Sequence, residues 1–178
     1  MKTFHYTLPV LKLSSAWITI YAGGENGEPA GSIRRYYRNR LSQLICWVMD
    51  SYDMNIEGQD TNHAQAVQLI DRHIWIGRNK WNAAILKEGR ENSAEVNDIT
   101  KIKLSPRFEI IWGDRTLELT RELLNRRTVV TDRESGLELA VIKFGAGLDY
   151  RKRSITIYEE GVCPLLTACL DYLMVKVY

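Results

Sequence analysis

The segment 161–178 constrains the possible folds of this chain more than any other stretch. From Leu165 to Val175 its residues are apolar on nearly every side of a helix, and Asp171 is the only charged residue among them. Because a helix without a polar face has no side that suits water, it must be buried inside the protein. The apolar run is also shorter than the roughly 20 residues needed to cross a bilayer. We therefore predict a buried C-terminal helix that begins near Pro164, since proline suits the first helical turn.

The chain before this segment has the features of antiparallel β-hairpins. Short stretches rich in β-branched and aromatic residues alternate with turn residues. The clearest hairpin has residues 107–112 and 116–120 on either side of Gly113, which supplies the positive φ of a tight turn. Further strands are predicted at residues 17–21, 31–37, 65–70, 73–76, 81–86, 127–131, 137–144 and 153–158. Short links between consecutive strands favour antiparallel pairing.

Two segments depart from the hairpin pattern. Within residues 41–52, apolar side chains recur at helical spacing, at Leu41, Leu44, Ile45, Val48, Met49 and Tyr52. This spacing predicts a helix with one apolar stripe, and a buried strand is the alternative. Residues 87–98 are rich in Glu, Asn, Gly and Ser without an apolar period, so we predict a surface loop there.

The need to avoid exposed edge strands links the hairpins to the apolar helix in one fold. An antiparallel sheet leaves its edges exposed unless it closes, and closure creates an interior that must be filled. The C-terminal helix can fill it. A chain of 178 residues with 45% hydrophobic content suits one domain with a substantial core. The predicted fold is therefore mainly β, a closed antiparallel barrel enclosing the C-terminal helix in a single domain, residues 1–178.

Composition excludes several classes of function. A net charge of +2 is too small to indicate nucleic-acid binding. The amino terminus lacks the apolar run of a signal peptide, so we expect a cytoplasmic protein. The cysteines at 46, 163 and 169 and the histidines at 5, 63 and 73 show no metal-ligand spacing. We predict reduced core cysteines, no metal site and no cofactor.

The order of parts matches a known pattern. An early hairpin carries Ile20 and Tyr21 followed by Gly27, Glu28 and Pro29, and a basic aromatic strand comes next. A late hairpin carries Asp132, Gly136, Leu139, Ala140 and Ile142, and the apolar helix ends the chain. This layout resembles the tubby C-terminal-domain-like superfamily, which includes LURP-one-related proteins and phospholipid scramblases. The resemblance implies a closed antiparallel barrel of about 12 strands around a central C-terminal helix, without enzyme activity.

The same resemblance makes anionic lipid a candidate ligand, because tubby proteins bind phosphoinositide head groups through basic residues. The cysteine-rich and proline-rich additions of scramblases are missing from this chain, which argues against lipid scrambling. No Walker loop, Gly-x-Ser-x-Gly elbow or His-Glu-x-x-His helix is present either.

Basic clusters are the candidate binding residues. The densest contains Arg34, Arg35, Arg38 and Arg40. On a strand, Arg34 and Arg35 point to opposite faces, so strand geometry alone cannot bring all four into one patch. A second group is Arg151, Lys152 and Arg153, predicted in one loop, to which Arg126 and Arg127 add if their loops share one end of the barrel. The alternative for both groups is ordinary solubilising surface charge.

The leading hypothesis is a non-enzymatic binding or scaffold protein that attaches to anionic phospholipid head groups, peripherally at the inner membrane surface. One alternative is a small-ligand carrier or enzyme with an internal barrel pocket, in which the terminal helix acts as a lid. Another is a protein–protein interaction subunit whose apolar segment docks on a partner.

Overall fold

A computed structural model describes residues 1–11, 13–48, 52–73 and 77–178. The strands are β1 Lys2–Thr7, β2 Ile18–Ala22, β3 Glu28–Tyr36, β4 Asn55–Asp60, β5 Gln65–Asp71, β6 Lys80–Lys87, β7 Arg90–Asp98, β8 Arg107–Trp112, β9 Arg115–Glu122, β10 Arg127–Asp132, β11 Glu138–Phe144 and β12 Lys152–Ile157. The helices are α1 Arg40–Cys46 and α2 Pro164–Val177, with a 3-10 turn at Gly147–Arg151.

The twelve strands form a closed barrel in which each strand pairs antiparallel with its neighbours along the chain. Closure is made by β1, which pairs with β12 over six residue pairs, from Lys2 opposite Ile157 to Thr7 opposite Lys152. Because every strand has two neighbours, the sheet has no free edge. The predicted closed antiparallel barrel is confirmed.

Helix α2 fills the barrel, as its composition requires. Every residue from Leu165 to Met174 is buried, including Asp171. The Cys163 Sγ accepts a hydrogen bond from the amide of Leu166 at 3.4 Å, and Pro164 occupies the first turn. The helix packs against β3, β4, β5 and β12. The three cysteines are free and buried, as predicted.

The structure differs from the prediction at residues 87–98 and describes only part of residues 73–76. The prediction of a surface loop over residues 87–98 is wrong, because Arg90–Asp98 is strand β7. The first half of β7 pairs with β6 and is exposed on both faces. The alternation of apolar and polar residues that is typical of a half-buried strand is limited to Ala94 and Val96. The strand predicted at residues 73–76 falls largely outside the described residues, which omit 74–76.

Helix α1 is shorter than predicted and presents its apolar residues to solvent. It spans Arg40–Cys46, and the side chain of Asn39 caps it by accepting a hydrogen bond from the amide of Ser42 at 2.7 Å. Ser42 and Cys46 are buried, whereas Leu41 and Leu44 are each 65% exposed. The predicted stripe therefore exists on a helix, but much of it faces away from the protein. Met49 lies outside the described residues.

Alternating connections give the barrel two different ends. One, which we call the loop end, carries the connections 8–17, 37–54, 72–79, 99–106, 123–126 and 145–151. The other, the turn end, carries the shorter connections 23–27, 61–64, 88–89, 113–114 and 133–137, together with the 158–163 link to α2. Helix α2 therefore starts at the turn end and finishes at the loop end.

Candidate functional site at the loop end

The two ends of the barrel differ in charge. Among the described residues, the loop-end connections carry two acidic residues, Asp53 and Asp149, against eight basic ones: Arg38, Arg40, Arg72, Arg78, Lys101, Lys103, Arg126 and Arg151. In the turn-end connections the balance is reversed, with Arg133 against Glu25, Glu88, Asp114, Glu134, Glu159 and Glu160. The small net charge of the chain thus conceals a strong separation along the barrel axis.

Exposed apolar side chains collect at the same end as the positive charge. The loop-end connections contain nine large apolar residues that are each at least 65% exposed: Val10, Leu11, Leu41, Leu44, Trp47, Val48, Ile102, Leu104 and Leu124. At the turn end, Met1 and Leu137 are exposed to a similar degree, at 90% and 64%. A concentration of exposed apolar groups on one face marks an interaction surface.

Three members of the cluster Arg34 to Arg40 line one cavity of about 370 Å³, namely Arg34, Arg35 and Arg40, but their side chains point in different directions. Arg34 points outward, where its Nε lies 2.5 Å from Glu57 and its guanidinium stacks 4.4 Å from the Trp17 ring centroid. Arg35 points inward and donates to Cys46 Sγ at 3.1 Å. The prediction that these two arginines point to opposite faces is confirmed, and the inward one is only 1% exposed.

The other two members of that cluster reach the loop end. Arg38 Nε lies 3.4 Å from Oδ1 of the buried Asp53. Burial opposes ionisation of Asp53, but hydrogen bonds from Asn55 and Ser42, with the charge of Arg38, outweigh it and lower its pKa. Arg40 is exposed and forms no ion pair within the described part of the chain. Arg40 is thus the freer cation.

The remaining predicted cations are divided between the loop-end connections and the strands. Arg126 is exposed at the loop end, whereas Arg127 begins β10 and lies 2.6 Å from Glu122. Arg151 closes the 3-10 turn and Lys152 lies 3.1 Å from Glu25. The prediction that residues 151–153 share one loop is wrong, because β12 starts at Lys152 and its alternation turns Arg153 inward.

Inside the loop end, Arg153 joins a buried polar network. Its Nε donates to Asp171 Oδ2 at 3.0 Å, and both side chains are fully buried. The hydroxyl of Tyr6 donates to the same carboxylate at 2.6 Å, and that of Thr128 at 3.3 Å. Burial and the neighbouring Asp171 charge together raise the pKa of Tyr6 well above its usual value, so it stays a donor.

Beside this network lies a cavity of about 440 Å³ that opens at the loop end. Lys103, Arg121 and Arg126 line it, together with aromatic and aliphatic side chains that include Phe144 and Val175. Arg121 is only 7% exposed. Its Nε is buried without a hydrogen-bond partner.

The amino-acid sequence matches the Tubby C-terminal like domain over residues 4–178. The chain belongs to this family. Neither the curated proteins nor the solved structures contain a match to it. The match confirms the resemblance inferred from the hairpin order and the apolar terminal helix, and nearly the whole chain is one tubby-like barrel.

The core of this tubby-like barrel leaves little room beside the start of its helix. A cavity lined by Val162, Leu166 and Leu170 near the start of α2 measures about 30 Å³, which suits about one water molecule. Neither described helix is long and apolar enough to span a membrane. No group of three or more potential metal ligands occurs within the described ranges.

Several basic residues at the loop end of this tubby-like barrel were not among the binding residues predicted from the sequence. Arg72, Arg78, Lys101 and Lys103 are isolated in the sequence and come together only because their loops share one end. For Arg121, the sequence does contain a signal of an unusual position. It follows Leu117 and Leu119 at the same period of two, so a charged residue occupies an inward position of a strand.

Proposed function

We propose that this tubby-like barrel is a non-enzymatic module that attaches to anionic membrane surfaces through its loop end. The observation that carries the proposal is the coincidence of exposed cations and exposed apolar side chains at that end. Anionic head groups attract the cations, while apolar side chains enter the interface between head groups and acyl chains. This corresponds to peripheral binding at the inner membrane surface.

The cations at the loop end are available for this role. Arg40, Arg78, Lys101, Lys103 and Arg126 are exposed, and none has an ion pair within the described ranges. Each basic residue near an anionic bilayer contributes about 1 kcal/mol. Five together therefore favour attachment by about 5 kcal/mol, which three residues of one loop would not reach.

The apolar part of the surface is centred on α1. Leu44 and Trp47 are 65% and 74% exposed. Tryptophan suits the membrane interface, since its ring is amphipathic and carries one hydrogen-bond donor. The acidic turn end faces away from the membrane in this arrangement, because like charges repel it from the surface.

A ligand pocket in the core beside the start of α2 is the competing function, and the packing of α2 argues against it there. The side chains from Leu165 to Met174 are all buried, and the cavity beside the start of the helix holds about 30 Å³. A drug-sized or lipid-sized ligand needs roughly 300 Å³ or more. A role of α2 as a docking segment for a partner protein also conflicts with its burial.

Vesicle binding tests the proposal. The protein should sediment with vesicles that contain an anionic phospholipid, bind neutral vesicles much more weakly, and dissociate as salt screens the charges. A triple variant Arg40→Ala, Arg78→Ala, Lys101→Ala should bind roughly a hundredfold more weakly. Trp47→Ser should weaken binding at every salt concentration, because its contribution is not electrostatic.

The turn end supplies a matched control. Lys2, Lys87 and Arg90 are exposed there and have no ion pair within the described part of the chain. Replacing all three by alanine makes the same change in net charge and should leave vesicle binding nearly intact. Equal losses in both triple variants would show that net charge, and not the loop end, governs binding, and the proposal would fail.

A further inference from the structure

The loop-end cavity differs from an open basic surface because its deepest cation is buried. Arg121 lies on β9 at an inward position opposite Thr128 on β10. Its guanidinium packs over the ring of Phe144, with the Cζ atom 4.9 Å from the ring centroid. At 7% exposure, this side chain is more than nine-tenths buried. A cation held at this depth lies within reach of a molecule that enters the cavity.

Arg121 has no ion-pair partner of its own among the described residues. The buried carboxylate of Asp171 is already bound to Arg153, Tyr6 and Thr128. The side chain of Arg121 makes no hydrogen bond or ion pair within the described residues. Burial lowers the pKa of Arg121, the Asp171 charge partly opposes this shift and the Arg153 charge adds to it, yet a guanidinium stays protonated in proteins. A buried, unpaired charge is costly, so an anion that reached it would relieve that cost.

Two further cations stand at the rim of the cavity. Lys103 comes from the β7–β8 connection and Arg126 from the β9–β10 connection. Both are exposed and lack ion pairs within the described ranges, and no Asp or Glu from the described residues lines the cavity. Three positive charges around one space suit a dianion with three oxygens. A carboxylate, with one charge and two oxygens, would leave two of the three cations unmatched.

Backbone hydrogen bonds hold this arrangement in place without a ligand. The amide of Arg121 donates to the carbonyl of Pro106 at 3.0 Å, which ties β9 to the connection that carries Lys103. The amide of Phe144 donates to the carbonyl of Arg126 at 3.1 Å. Arg126 also has a positive φ of 50°, a conformation that residues other than glycine rarely adopt. The fold therefore fixes the backbone positions that carry the three cations.

We infer that this cavity binds a phosphate monoester, with Arg121 at its base and Lys103 and Arg126 at its rim. The apolar wall that includes Leu123, Phe144 and Val175 would receive the carbon chain attached to the phosphate. Such a group occurs both in a phosphomonoester lipid head group and in a free alkyl phosphate. The inference deepens the proposed membrane function, on which its lipid form rests, but the site itself needs no membrane.

Calorimetric titration with hexyl phosphate in the absence of lipid tests the site. Saturable binding is expected, tighter than that of inorganic phosphate because of the apolar wall. Arg126→Gly and Lys103→Ala should each weaken binding by at least about tenfold, since each removes a charged hydrogen-bond donor. Arg126→Gly relieves a strained φ and should fold at least as well as the parent protein. Lys143→Ala, which removes an exposed cation on β11 outside the cavity, is the matched control.

Arg121→Leu separates a binding role from a structural one. It should abolish binding of hexyl phosphate while leaving the unfolding midpoint unchanged or higher, because it removes an unpaired buried charge. A lower midpoint in ligand-free protein, with hexyl phosphate still bound normally, would overturn the assignment. Absence of saturable binding to the parent protein, or equal weakening by Lys143→Ala, would also overturn it.

Two kinds of vesicle then distinguish the sources of the phosphate. At equal surface charge, vesicles with phosphatidic acid should bind more tightly than vesicles with phosphatidylglycerol if a lipid head group enters the cavity, and Arg126→Gly should remove the difference. Equal binding to both, together with tight hexyl phosphate binding, would assign the site to a soluble phosphomonoester. Vesicle binding without any hexyl phosphate binding would refute the site and leave the membrane proposal standing.

Discussion

At the scale of single residues, Asp171 explains how an apolar helix carries one charge. Its carboxylate accepts hydrogen bonds from Tyr6 at 2.6 Å and from Arg153 at 3.0 Å inside the barrel. The charge therefore fixes α2 to β1 and β12, the two strands that close the barrel. A buried ion pair of this kind specifies register and orientation, since a shifted helix would leave both charges unpaired.

We predict that Asp171→Asn lowers the free energy of unfolding by about 3–5 kcal/mol, because it leaves Arg153 as an unpaired buried cation. Urea unfolding followed by circular dichroism measures this. The control Asp149→Asn changes an exposed carboxylate at the loop end and should alter stability by less than about 0.5 kcal/mol. A similarly small effect of Asp171→Asn would show that the network does not hold the helix.

Asp132 gives a second residue-scale prediction, on acid stability. Its Oδ1 accepts hydrogen bonds from the amide of Ser135 at 2.9 Å and of Glu134 at 3.1 Å, and its Oδ2 from Arg115 Nε at 2.8 Å. The amide of Ser135 first and the Arg115 guanidinium second lower the pKa of Asp132 from 3.8 to about 2. The folded protein therefore binds this proton less readily than the unfolded chain does.

Because the folded pKa is depressed, the stabilisation is present above about pH 4 and is lost as the pH falls towards about 2. Urea unfolding at pH 7, 4 and 2.5 should show a smaller loss over this window for Asp132→Asn than for the parent protein. Asp114→Asn, in the neighbouring exposed turn, should follow the parent curve. Identical curves for all three proteins would contradict the role of Asp132.

Sequence reasoning succeeded at residue scale where local geometry decides. Strand alternation alone placed Arg34 and Arg35 on opposite faces, and the preference of proline for the first helical turn located the start of α2 at Pro164. It failed for Arg153, because β12 begins at Lys152 and a small shift of a strand boundary decides whether a side chain is exposed or buried. It also could not identify Asp171 as the partner of Arg153, since that pairing depends on barrel closure.

At the scale of elements, α2 packs closely against β4 at Gly58. A Cβ atom there would lie 2.9 Å from Cys169 Sγ, 3.0 Å from Leu165 Cδ1 and 3.1 Å from Ile33 Cγ2. The helix therefore packs where a strand residue has no side chain. This explains a glycine in the middle of a strand, which is otherwise unfavourable.

We predict that Gly58→Ala destabilises the protein by about 1–3 kcal/mol through overpacking. Thermal unfolding measures the effect. Cys169→Ala removes the atom nearest to the added Cβ. Gly58→Ala should therefore cost less stability when it is introduced into the Cys169→Ala variant than when it is introduced into the parent protein. The control Gly89→Ala concerns a turn glycine where an added Cβ would meet no described atom within 4 Å, so its cost arises from the positive φ of 76°. Lack of any coupling between Gly58 and Cys169 would contradict the packing argument.

Helix α1 and strand β7 show why other elements were harder to predict. Helical periodicity identifies a stripe but not the side that faces the protein, and here Asn39, Ser42 and Cys46 supply the anchoring contacts. In β7, the exposed first half lacks the apolar alternation that reveals strands, because it extends a hairpin beyond the core. Pairing with β6, a tertiary feature, overrides the weak local preference.

At the scale of the whole molecule, a helix without a polar face must be buried, and an antiparallel sheet that closes into a barrel provides the interior that buries it. That much could be predicted. The separation of charge between the two ends could not, because it depends on which connections fall at which end. A missed strand moves every later connection to the opposite end, and β1, β4 and β7 were not predicted from local pattern.

The proposed orientation, with the loop end facing an anionic membrane, is tested most directly by site-specific labelling. Leu124 at the loop end and Leu137 at the turn end are 99% and 64% exposed, and the three native cysteines are buried. Each leucine is replaced by cysteine in turn and labelled with an environment-sensitive fluorophore. Anionic vesicles should shift the emission of the label at position 124 to shorter wavelength and leave the label at position 137 unchanged. A shift at position 137 alone, or at neither position while the protein is bound, would contradict the account.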